Sequence, residues 1–382
     1  MPVFTRTELD EATLRLDIDL GVASYPIFLG ENAPSHFIKF VTENNDTRRV
    51  AIIADETTGG LFGLLYESML ITAGFEVVSL TVTAGEAVKN WHTAGQVLEA
   101  LAQNRLERTD MVISLGGGVA SDLSGFVAAV YQRGVKFAQI STTVLSMVDA
   151  SVGGKTGVDL EGGKNLAGAF KQPEVILMDI DTLATLPGDE FKSGLAEVVK
   201  TALLSGEEFC GWLESSREAI MRREGKTLVE MIARCIEFKA GVVASDCTDL
   251  GARECLNFGH TLGHALEKLY GYGTVSHGAA VAEGMRFASR VSVQLAGGSM
   301  ETVHRTDALL DMFGIAPLAS PSRPLDIMEA MRSDKKVRSG EVRMVLLAKP
   351  GEWTCQAVPE DVLYDHLRAY DSTAHMAKEI ES

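Results

Sequence analysis

Short apolar runs separated by stretches with helical spacing organise the first half of the chain. The runs are Val50–Ala54, Phe75–Leu80, Met111–Leu115, Lys136–Ile140 and Val175–Met178. Among the intervening stretches, residues 91–104 have apolar positions at the three- and four-residue intervals of a helix, and residues 120–130, which are rich in small residues, are also predicted to be helical. Strands that alternate with helices in this way are typical of a doubly wound parallel sheet. We therefore predict an α/β domain over residues 1–185.

The pattern becomes helical after about residue 186. Helical periodicity is found in residues 188–204, 207–222, 227–246, 253–270, 278–296 and 301–313. One late apolar run, Val342–Leu347, indicates a short strand or one arm of a hairpin. The second domain, residues 186–382, is accordingly expected to be mostly α-helical.

Length and charge narrow the possible functions. A chain of 382 residues is long for one ordinary core, which agrees with two domains. Lys and Arg number 35 against 52 Asp and Glu, so the net charge is −17. This balance argues against nucleic-acid binding, which needs clustered positive charge. An anionic small molecule remains compatible, because only the local charge of its site matters.

The cysteines and the start of the chain indicate a cytoplasmic protein. Cys210, Cys235, Cys247, Cys255 and Cys355 are odd in number and irregularly spaced, as is typical of reduced thiols. The first residues contain acids and lack the apolar region of a secretory signal. No apolar run reaches 18 residues, so we expect no membrane span.

Three consecutive glycines, Gly116, Gly117 and Gly118, connect a predicted strand to a predicted helix. Such a turn presents bare backbone N–H groups at a helix N-terminus, where a dinucleotide pyrophosphate can bind. The residues do not match the GxGxxG pattern, and an ordinary tight turn explains the three glycines equally well. Asp55, at the end of the first apolar run, is placed either to bind a ribose or to be a solvated loop acid.

Two Gly-Gly-Lys units form a second signal. Thr142 and Thr143 are followed by Asp149, then by the units ending at Lys155 and Lys164, the latter preceding Asn165. Glycine opens the backbone and lysine supplies a point charge for a phosphate. The segment is not a Walker A loop, because Asp149 occupies the position of the required upstream glycine. Two flexible basic loops are the alternative.

Clustered histidines form the third signal. His260, His264 and His277 are three of the eight histidines and fall within 18 residues, the first two at i and i+4 of one helix. Imidazoles so placed suit a metal such as zinc, although HExxH is absent. Glu197 is a candidate carboxylate ligand, yet with Lys200 at i+3 it also fits a surface ion pair.

The remaining candidates are isolated basic residues. Arg133, Lys239, Arg253 and the segment Asp334-Lys335-Lys336 are each compatible with ordinary surface charge. They become functional candidates only if the fold brings them together.

These motifs together resemble the 3-dehydroquinate synthases, which are members of the sugar-phosphate cyclase family. The likeness extends roughly from Asp55 to Lys336. It is carried by the segments GGGVASDLSGFVAAVYQRG, STTVLSMVDASVGGKTGVD, GGKNLAGAF, SGLAEVVK, CLNFGHTLGH and SDKKV.

The resemblance implies a nucleotide-binding α/β domain followed by a helical metal-binding domain, and NAD and zinc or cobalt as cofactors. It implies Glu197, His260 and His277 as metal ligands, and moves His264 from the metal to the substrate. The residues implied to contact NAD are Asp55, Glu86, Lys89, Gly117, Gly118, Val119, Asp122, Thr142, Thr143, Lys155 and Lys164.

The substrate site is assigned in the same way. The substrate phosphate is implied to meet Lys155, Asn165, His264, Lys335 and, from a neighbouring subunit of a homodimer, Arg133. The residues implied to line the rest of the site are Asp149, Lys164, Lys200, Lys239, Arg253 and Asn257.

The implied reaction converts 3-deoxy-D-arabino-heptulosonate 7-phosphate to 3-dehydroquinate and phosphate. A ring alcohol is transiently oxidised by NAD while the metal polarises its oxygen, and the ketone acidifies the neighbouring C–H so that phosphate leaves. The ketone is then reduced again, the ring opens, and an intramolecular aldol addition closes the carbocycle. NAD is therefore recycled rather than consumed.

Two departures and three alternatives remain. Ala279 stands where the family usually has Glu, and Glu283 where a small or apolar residue is usual. One alternative is another cyclase that makes an aminodehydroquinate or a cyclitol precursor. Another is a glycerol-dehydrogenase-like oxidoreductase, and the third is an inactive binding or regulatory protein on the same scaffold.

Overall fold

The computed structural model describes residues 3–20, 23–44, 46–246, 251–332 and 341–380, without the side chains of residue 252 and residues 372–380. Contacts between Cα atoms divide the chain into two units. The first unit contains Met1–Leu186 and Arg223–Cys247, and the second contains Pro187–Arg222 and Thr248–Ser382.

An eight-stranded sheet organises the first unit. Its strands are β1 (Phe4–Asp10), β2 (Thr13–Asp19), β3 (Ser24–Gly30), β4 (Arg49–Asp55), β5 (Glu76–Val82), β6 (Met111–Gly116), β7 (Lys136–Ser141) and β10 (Val175–Asp179). They lie in the order β1-β2-β3-β10-β7-β6-β4-β5. The six neighbouring strands β3, β10, β7, β6, β4 and β5 are parallel to one another. Strand β2 pairs antiparallel with both β1 and β3. The expected parallel sheet is therefore confirmed, with an antiparallel extension that the apolar runs did not indicate.

Helices cover both faces of this sheet. They are α1 (Ala33–Glu43), α2 (Glu56–Thr58), α3 (Leu64–Thr72), α4 (Trp91–Gln103), α5 (Gly118–Val130) and α8 (Gly225–Ser245). Alternate residues of β4 enter separate cores: Ile52 packs with Phe37 and Tyr66, whereas Ile53 packs with Leu123. A central strand buried on both faces explains the continuous apolar run in the sequence.

Helix α8 belongs to the first unit, although the sequence placed residues 186–382 in one second domain. Its buried side packs against β1, β2 and β3, and Arg6 on β1 forms an ion pair with Glu230 at 2.7 Å. The helical period of residues 227–246 was correct. Periodicity specifies that one face is buried, but not which neighbour buries it.

Both lysines of the two Gly-Gly-Lys units lie in the strands of a β-hairpin, whereas Gly153 and Gly154 precede its first strand. Strand β8 (Lys155–Leu160) pairs antiparallel with β9 (Gly163–Phe170). Glycines discourage a strand prediction, yet here they permit close backbone approach: a Cβ on Gly157 would lie 2.9 Å from the carbonyl oxygen of Ala167.

The second unit is mostly helical, as expected. Its helices are α6 (Gly188–Ser205), α7 (Glu207–Met221), α9 (His260–Tyr270), α10 (His277–Leu295), α11 (Met300–Asp311), α12 (Pro324–Arg332) and α13 (Glu360–Ile380). A hairpin of β11 (Arg343–Lys349) and β12 (Glu352–Ala357) packs on α10, so the late apolar run is a hairpin arm. Within the described residues, no helix is long and apolar enough to cross a membrane.

One predicted helix, residues 253–270, is two elements. A 3₁₀ segment, Ala252–Asn257, ends before Gly259, whose φ of +80° lies in the left-handed region. Helix α9 then starts at His260. Glycine tolerates this φ without strain, so the apolar spacing continues while the backbone turns.

Candidate active site

The glycine turn connects β6 to α5 with very little space around it. A Cβ on Gly116 would lie 2.8 Å from the Cβ of Ala120, and one on Gly117 would lie 3.1 Å from Cγ2 of Thr143. Helix α5 begins at Gly118, so the first backbone N–H groups of the helix lie at the glycine turn. The turn has the geometry of a phosphate site at a helix N-terminus.

Thr142 lies beside the turn, and its backbone N–H donates to the carbonyl oxygen of Gly116 at 3.1 Å. Its side-chain hydroxyl is buried and has no hydrogen-bond partner among the described residues. Buried hydroxyls are normally paired, so this one indicates a position that a bound molecule completes.

Replacing Thr142 with valine is expected to weaken NAD binding about tenfold without destabilising the protein. Valine keeps the shape and removes a hydroxyl that is unpaired in the folded chain. The dissociation constant for NAD, measured by titration calorimetry, and the melting temperature check this. Unchanged NAD affinity in T142V would remove Thr142 from the cofactor site.

Asp55, a candidate for ribose binding, also has a local structural role. It is the N-cap of α2, and its Oδ1 accepts hydrogen bonds from the backbone N–H groups of Thr57 and Thr58 at 2.8 and 2.9 Å. Its Oδ2 lies 3.6 Å from the position that a Cβ on Gly116 would occupy. One carboxylate oxygen therefore organises the loop while the other faces the glycine turn.

Four of the residues assigned to NAD form one ion-pair cluster. The ammonium of Lys89 lies 3.0 Å from Glu86 and 3.2 Å from Asp122, and Lys164 lies 3.3 Å from the same Glu86 oxygen. Burial raises the pKa of Asp122 to about 6 despite the nearby Lys89 charge. Burial alone would lower the pKa of Lys89, but the surrounding carboxylates raise it, so the ammonium stays charged.

Lys239 and Asp149 form a second buried contact in the first unit. The ammonium of Lys239, on α8, donates to both the main-chain carbonyl and the carboxylate of Asp149. Asp149 lies in the π-helical turn Ser146–Ala150, which follows Thr142 and Thr143. A helix distant in sequence therefore fixes the turn that leads into the first Gly-Gly-Lys unit.

The other first-unit candidates are mostly exposed. Lys155 begins β8, Asn165 has a φ of +52°, and Arg133 has a φ of +65° in the turn after α5. Val119 is half-buried in the first turn of α5. The structure thus brings together two groups of predicted residues: Glu86, Lys89, Asp122 and Lys164 in one, and Asp149 with Lys239 in the other.

In the second unit, Glu197, His260 and His277 each turn one ligand atom to a common point, with all these atoms within 4.8 Å of one another. Oε1 of Glu197 lies 3.6 Å from Nε2 of each histidine. Both Glu197 oxygens are buried without a hydrogen-bond partner of normal geometry among the described residues. Two imidazole nitrogens and a carboxylate oxygen are the donors that zinc or cobalt prefers.

Glycines hold the three elements of this cluster close together. A Cβ on Gly278 of α10 would lie 2.1 Å from the carbonyl oxygen of Ser193 on α6, and one on Gly284 would lie 1.8 Å from that of Gly259 before α9. Any side chain at either position would separate the helices. The close approach brings His260 and His277, from different helices, to the same carboxylate.

Lys200 orients Glu197, and the pair is entirely buried rather than a surface ion pair. Its ammonium contacts Oε2, which leaves Oε1 for the histidines. Burial alone would raise the pKa of Glu197, but Lys200 and His277 outweigh it and lower the pKa to about 2. The carboxylate is therefore an anionic donor at neutral pH.

Each histidine has a partner for its second ring nitrogen. Nδ1 of His260 lies 3.2 Å from the carbonyl oxygen of Phe258, and Nδ1 of His277 lies 3.4 Å from Oε2 of Glu267. Such partners keep the proton on Nδ1 and present Nε2 to a metal. Glu267 was not among the candidates from the sequence, although it stands seven residues after His260 and hence on the same side of α9.

Replacing Glu267 with glutamine is expected to weaken zinc binding about tenfold, because an amide orients His277 less firmly than a carboxylate. The zinc dissociation constant, measured by competition with a chromophoric chelator, checks this. The matched control is the exposed neighbour Lys268 on the same helix: K268Q should bind zinc like the parent. Equal affinities for E267Q and the parent would contradict the assignment.

The remaining second-unit candidates differ in their surroundings. His264 lies beside the cluster, with its ring centroid 5.4 Å from that of His260 and 6.3 Å from that of His277. Arg253 is buried and Asn257 is half-buried, both in the 3₁₀ segment before α9. Lys335 lies outside the described residues, so its role stays a prediction.

The two departures from the family pattern lie outside the cluster of ligand atoms. Ala279 donates its N–H to the Ser276 hydroxyl that caps α10. Glu283 is buried and accepts a hydrogen bond at 2.9 Å from the N–H of Leu318. Burial raises the pKa of Glu283. Neither residue belongs to the cluster of ligand atoms.

Two solved structures share the fold at low identity. A 2-deoxy-scyllo-inosose synthase complexed with carbaglucose-6-phosphate, NAD⁺ and Co²⁺ has a TM-score of 0.86 at 22% identity, covering 93% of this chain and 100% of that one. A 2-epi-5-epi-valiolone synthase from Streptomyces hygroscopicus with NAD⁺ and Zn²⁺ bound has a TM-score of 0.82 at 23% identity, covering 92% and 98%.

Comparison of the sequence with known proteins identifies the family. Models of the 3-dehydroquinate synthase N-terminal and C-terminal domains match residues 79–193 and 194–337. A 3-dehydroquinate synthase of Halorhodospira halophila is 43% identical over 340 residues, which cover 88% of this chain and 93% of the relative. The two matched domains and this relative show that the chain belongs to the 3-dehydroquinate synthase family.

Proposed function

We propose that the protein converts 3-deoxy-D-arabino-heptulosonate 7-phosphate to 3-dehydroquinate and phosphate, with NAD and a divalent cation as cofactors. The observation that carries the proposal is the buried Glu197 carboxylate, whose Oε1 faces Nε2 of both His260 and His277. A cation of the zinc or cobalt type would satisfy these three donors at once.

NAD is assigned to the first unit. The glycine turn, the unpaired hydroxyl of Thr142 and the cluster around Lys89 support this assignment. When bound, NAD supplies reversible hydride transfer and the cation supplies polarisation of a substrate oxygen. Because the reaction has no net redox change, the residues of the turn need to retain the cofactor through many turnovers.

The lysines and the arginine suit a substrate that carries both a phosphate and a carboxylate. Lys155, Asn165 and His264 are assigned to the phosphate, and Lys239 and Arg253 to the rest of the substrate. Lys239 is already oriented by Asp149, which reduces the freedom that it loses when substrate binds. Lys200, held against Glu197, places a fixed positive charge beside the proposed metal ligands.

Arg133 is assigned to the site of a second copy in a homodimer. Arg133 is exposed, and its backbone adopts a left-handed conformation in the turn after α5. A homodimer in solution, measured by sedimentation, would agree with this assignment.

A second candidate is another sugar-phosphate cyclase, because the two solved structures described above are named for such activities. Their identity of 22–23% is well below the 43% of the 3-dehydroquinate synthase relative. The heptulosonate phosphate is therefore the first substrate to test, followed by its aminated analogue and heptulose phosphates without a carboxylate.

Removal and return of the cofactors tests the proposal. Protein stripped of metal by a chelator and of NAD by charcoal should form no 3-dehydroquinate from the heptulosonate phosphate. Activity should return only when zinc or cobalt and NAD are added together. Product formation without either addition, or none with both, would contradict the proposal.

A further inference from the structure

We infer that Asp159 is a positioning residue for the substrate site: it holds the backbone of Asn165 in the conformation that presents Lys164 and Asn165. The inference rests on the proposed function, which assigns both residues to the site, and adds a residue to which no role has been given above. Asp159 itself needs no contact with substrate or NAD.

The register of the β8–β9 hairpin places Asp159 at an irregularity. Val158 pairs with Ala167 and Leu160 pairs with Gly163, so only Asp159 stands opposite residues 164–166. Extra residues on one strand form a bulge, which interrupts the backbone ladder and redirects side chains. Lys164 and Asn165, both assigned to the site, belong to this bulge.

The side chain of Asp159 spans the bulge. Its Oδ1 accepts a hydrogen bond from the backbone N–H of Asn165 at 2.7 Å. Asn165 has a φ of +52°, in the left-handed region that non-glycine residues adopt only with local support. The carboxylate supplies that support through the N–H group of the same residue.

Asp159 is itself anchored beside the NAD-assigned cluster. Its backbone N–H donates to the carbonyl oxygen of Lys89 at 2.7 Å, and its Oδ1 lies 3.9 Å from the Lys89 ammonium. Lys164, within the bulge, reaches Glu86 of the same cluster. Asp159 therefore connects the hairpin to Lys89, so that the position of Asn165 depends on the position of Lys89.

Two variants separate the hydrogen bond from the charge. Asp159→Asn keeps an oxygen that can accept from Asn165 and removes the charge near Lys89, whereas Asp159→Ala removes both. Glu161→Gln is the matched control, because it removes a negative charge from the exposed turn of the same hairpin. Circular dichroism selects an assay temperature at which each variant is folded, and Asp159→Ser, whose hydroxyl is too short to reach Asn165, substitutes if Asp159→Ala does not fold.

The first readout is hydrogen exchange of the peptide containing Asn165, followed by mass spectrometry in the presence of NAD. Exchange of the Asn165 amide should accelerate about tenfold in D159A, as expected for loss of a hydrogen bond to a charged group, and stay within about threefold of the parent in D159N and E161Q. This readout does not depend on turnover.

The second readout is the KM for the heptulosonate phosphate. It should rise about tenfold in D159A with kcat within about threefold, and D159N should restore the parent KM to within about threefold. Parent-like exchange and KM in D159A, or equal defects in D159N and D159A, would overturn the inference. If the parent itself does not turn over the substrate, the proposed function fails, and hydrogen exchange alone decides the role of Asp159.

Discussion

Replacing Glu197 with glutamine is expected to abolish metal binding and to lower kcat about a thousandfold. The neutral amide removes the only anionic donor of the cluster of ligand atoms, which then contains two imidazoles, one buried and one half-buried. A cation that polarises a reacting oxygen contributes several kcal/mol to lowering the barrier, which corresponds to about three powers of ten in rate.

The matched control for this substitution is Glu190→Gln, in the exposed first turn of the same helix, α6. Metal content after dialysis, measured by plasma mass spectrometry, and kcat are determined for both variants. E190Q should match the parent in both respects. A Glu197→Gln protein that retains its metal and a kcat close to that of the parent would remove Glu197 from the metal site.

Replacing Lys239 with methionine is expected to lower kcat/KM about a hundredfold and to reduce the free energy of unfolding by about 2 kcal/mol. Methionine preserves most of the packing volume but removes the ammonium that donates to both the carbonyl and the carboxylate of Asp149. The turn Ser146–Ala150 then loses its fixed geometry, and the substrate loses an assigned positive charge. Urea denaturation and steady-state kinetics measure the two effects.

Lys226→Met provides the comparison, since Lys226 is exposed near the start of the same helix, α8. It should leave both the unfolding free energy and kcat/KM near the parent values. A Lys239→Met variant that loses stability but keeps its kcat/KM would show that the contact with Asp149 is purely structural.

The sequence predicted those parts of the fold in which one residue pattern has one structural solution. The apolar runs of β4, β6, β7 and β10 are buried on both faces, and such runs rarely form anything else. Strands β1, β2 and β3 were missed. Many residues of β1 and β2 are polar and also fit an exposed segment, and Pro26 discourages a strand prediction for β3 although that strand is apolar and buried. The partner of α8 could not be predicted, because amphipathicity carries no information about which surface a helix covers.

The candidate site shows the same difference between what local patterns predict and what depends on tertiary contacts. Helical spacing paired His260 with His264, whereas the cluster of ligand atoms contains His277 instead. That arrangement depends on the left-handed turn at Gly259 and on the contact between α10 and α6 at Gly278, which no local spacing reveals. Only the resemblance of the whole chain supplied it. Glu267 and Asp159 were missed by both approaches, since each acts through another residue.

If NAD is recycled while phosphate is eliminated, the phosphate released greatly exceeds the NADH formed, and the ratio of the two can be measured. Metal-loaded protein with NAD held below the substrate concentration is given the heptulosonate phosphate, and phosphate and absorbance at the NADH band are followed together. We expect many phosphates to be released per NAD with no accumulation of NADH. One NADH for each substrate consumed, or no phosphate at all, would contradict it.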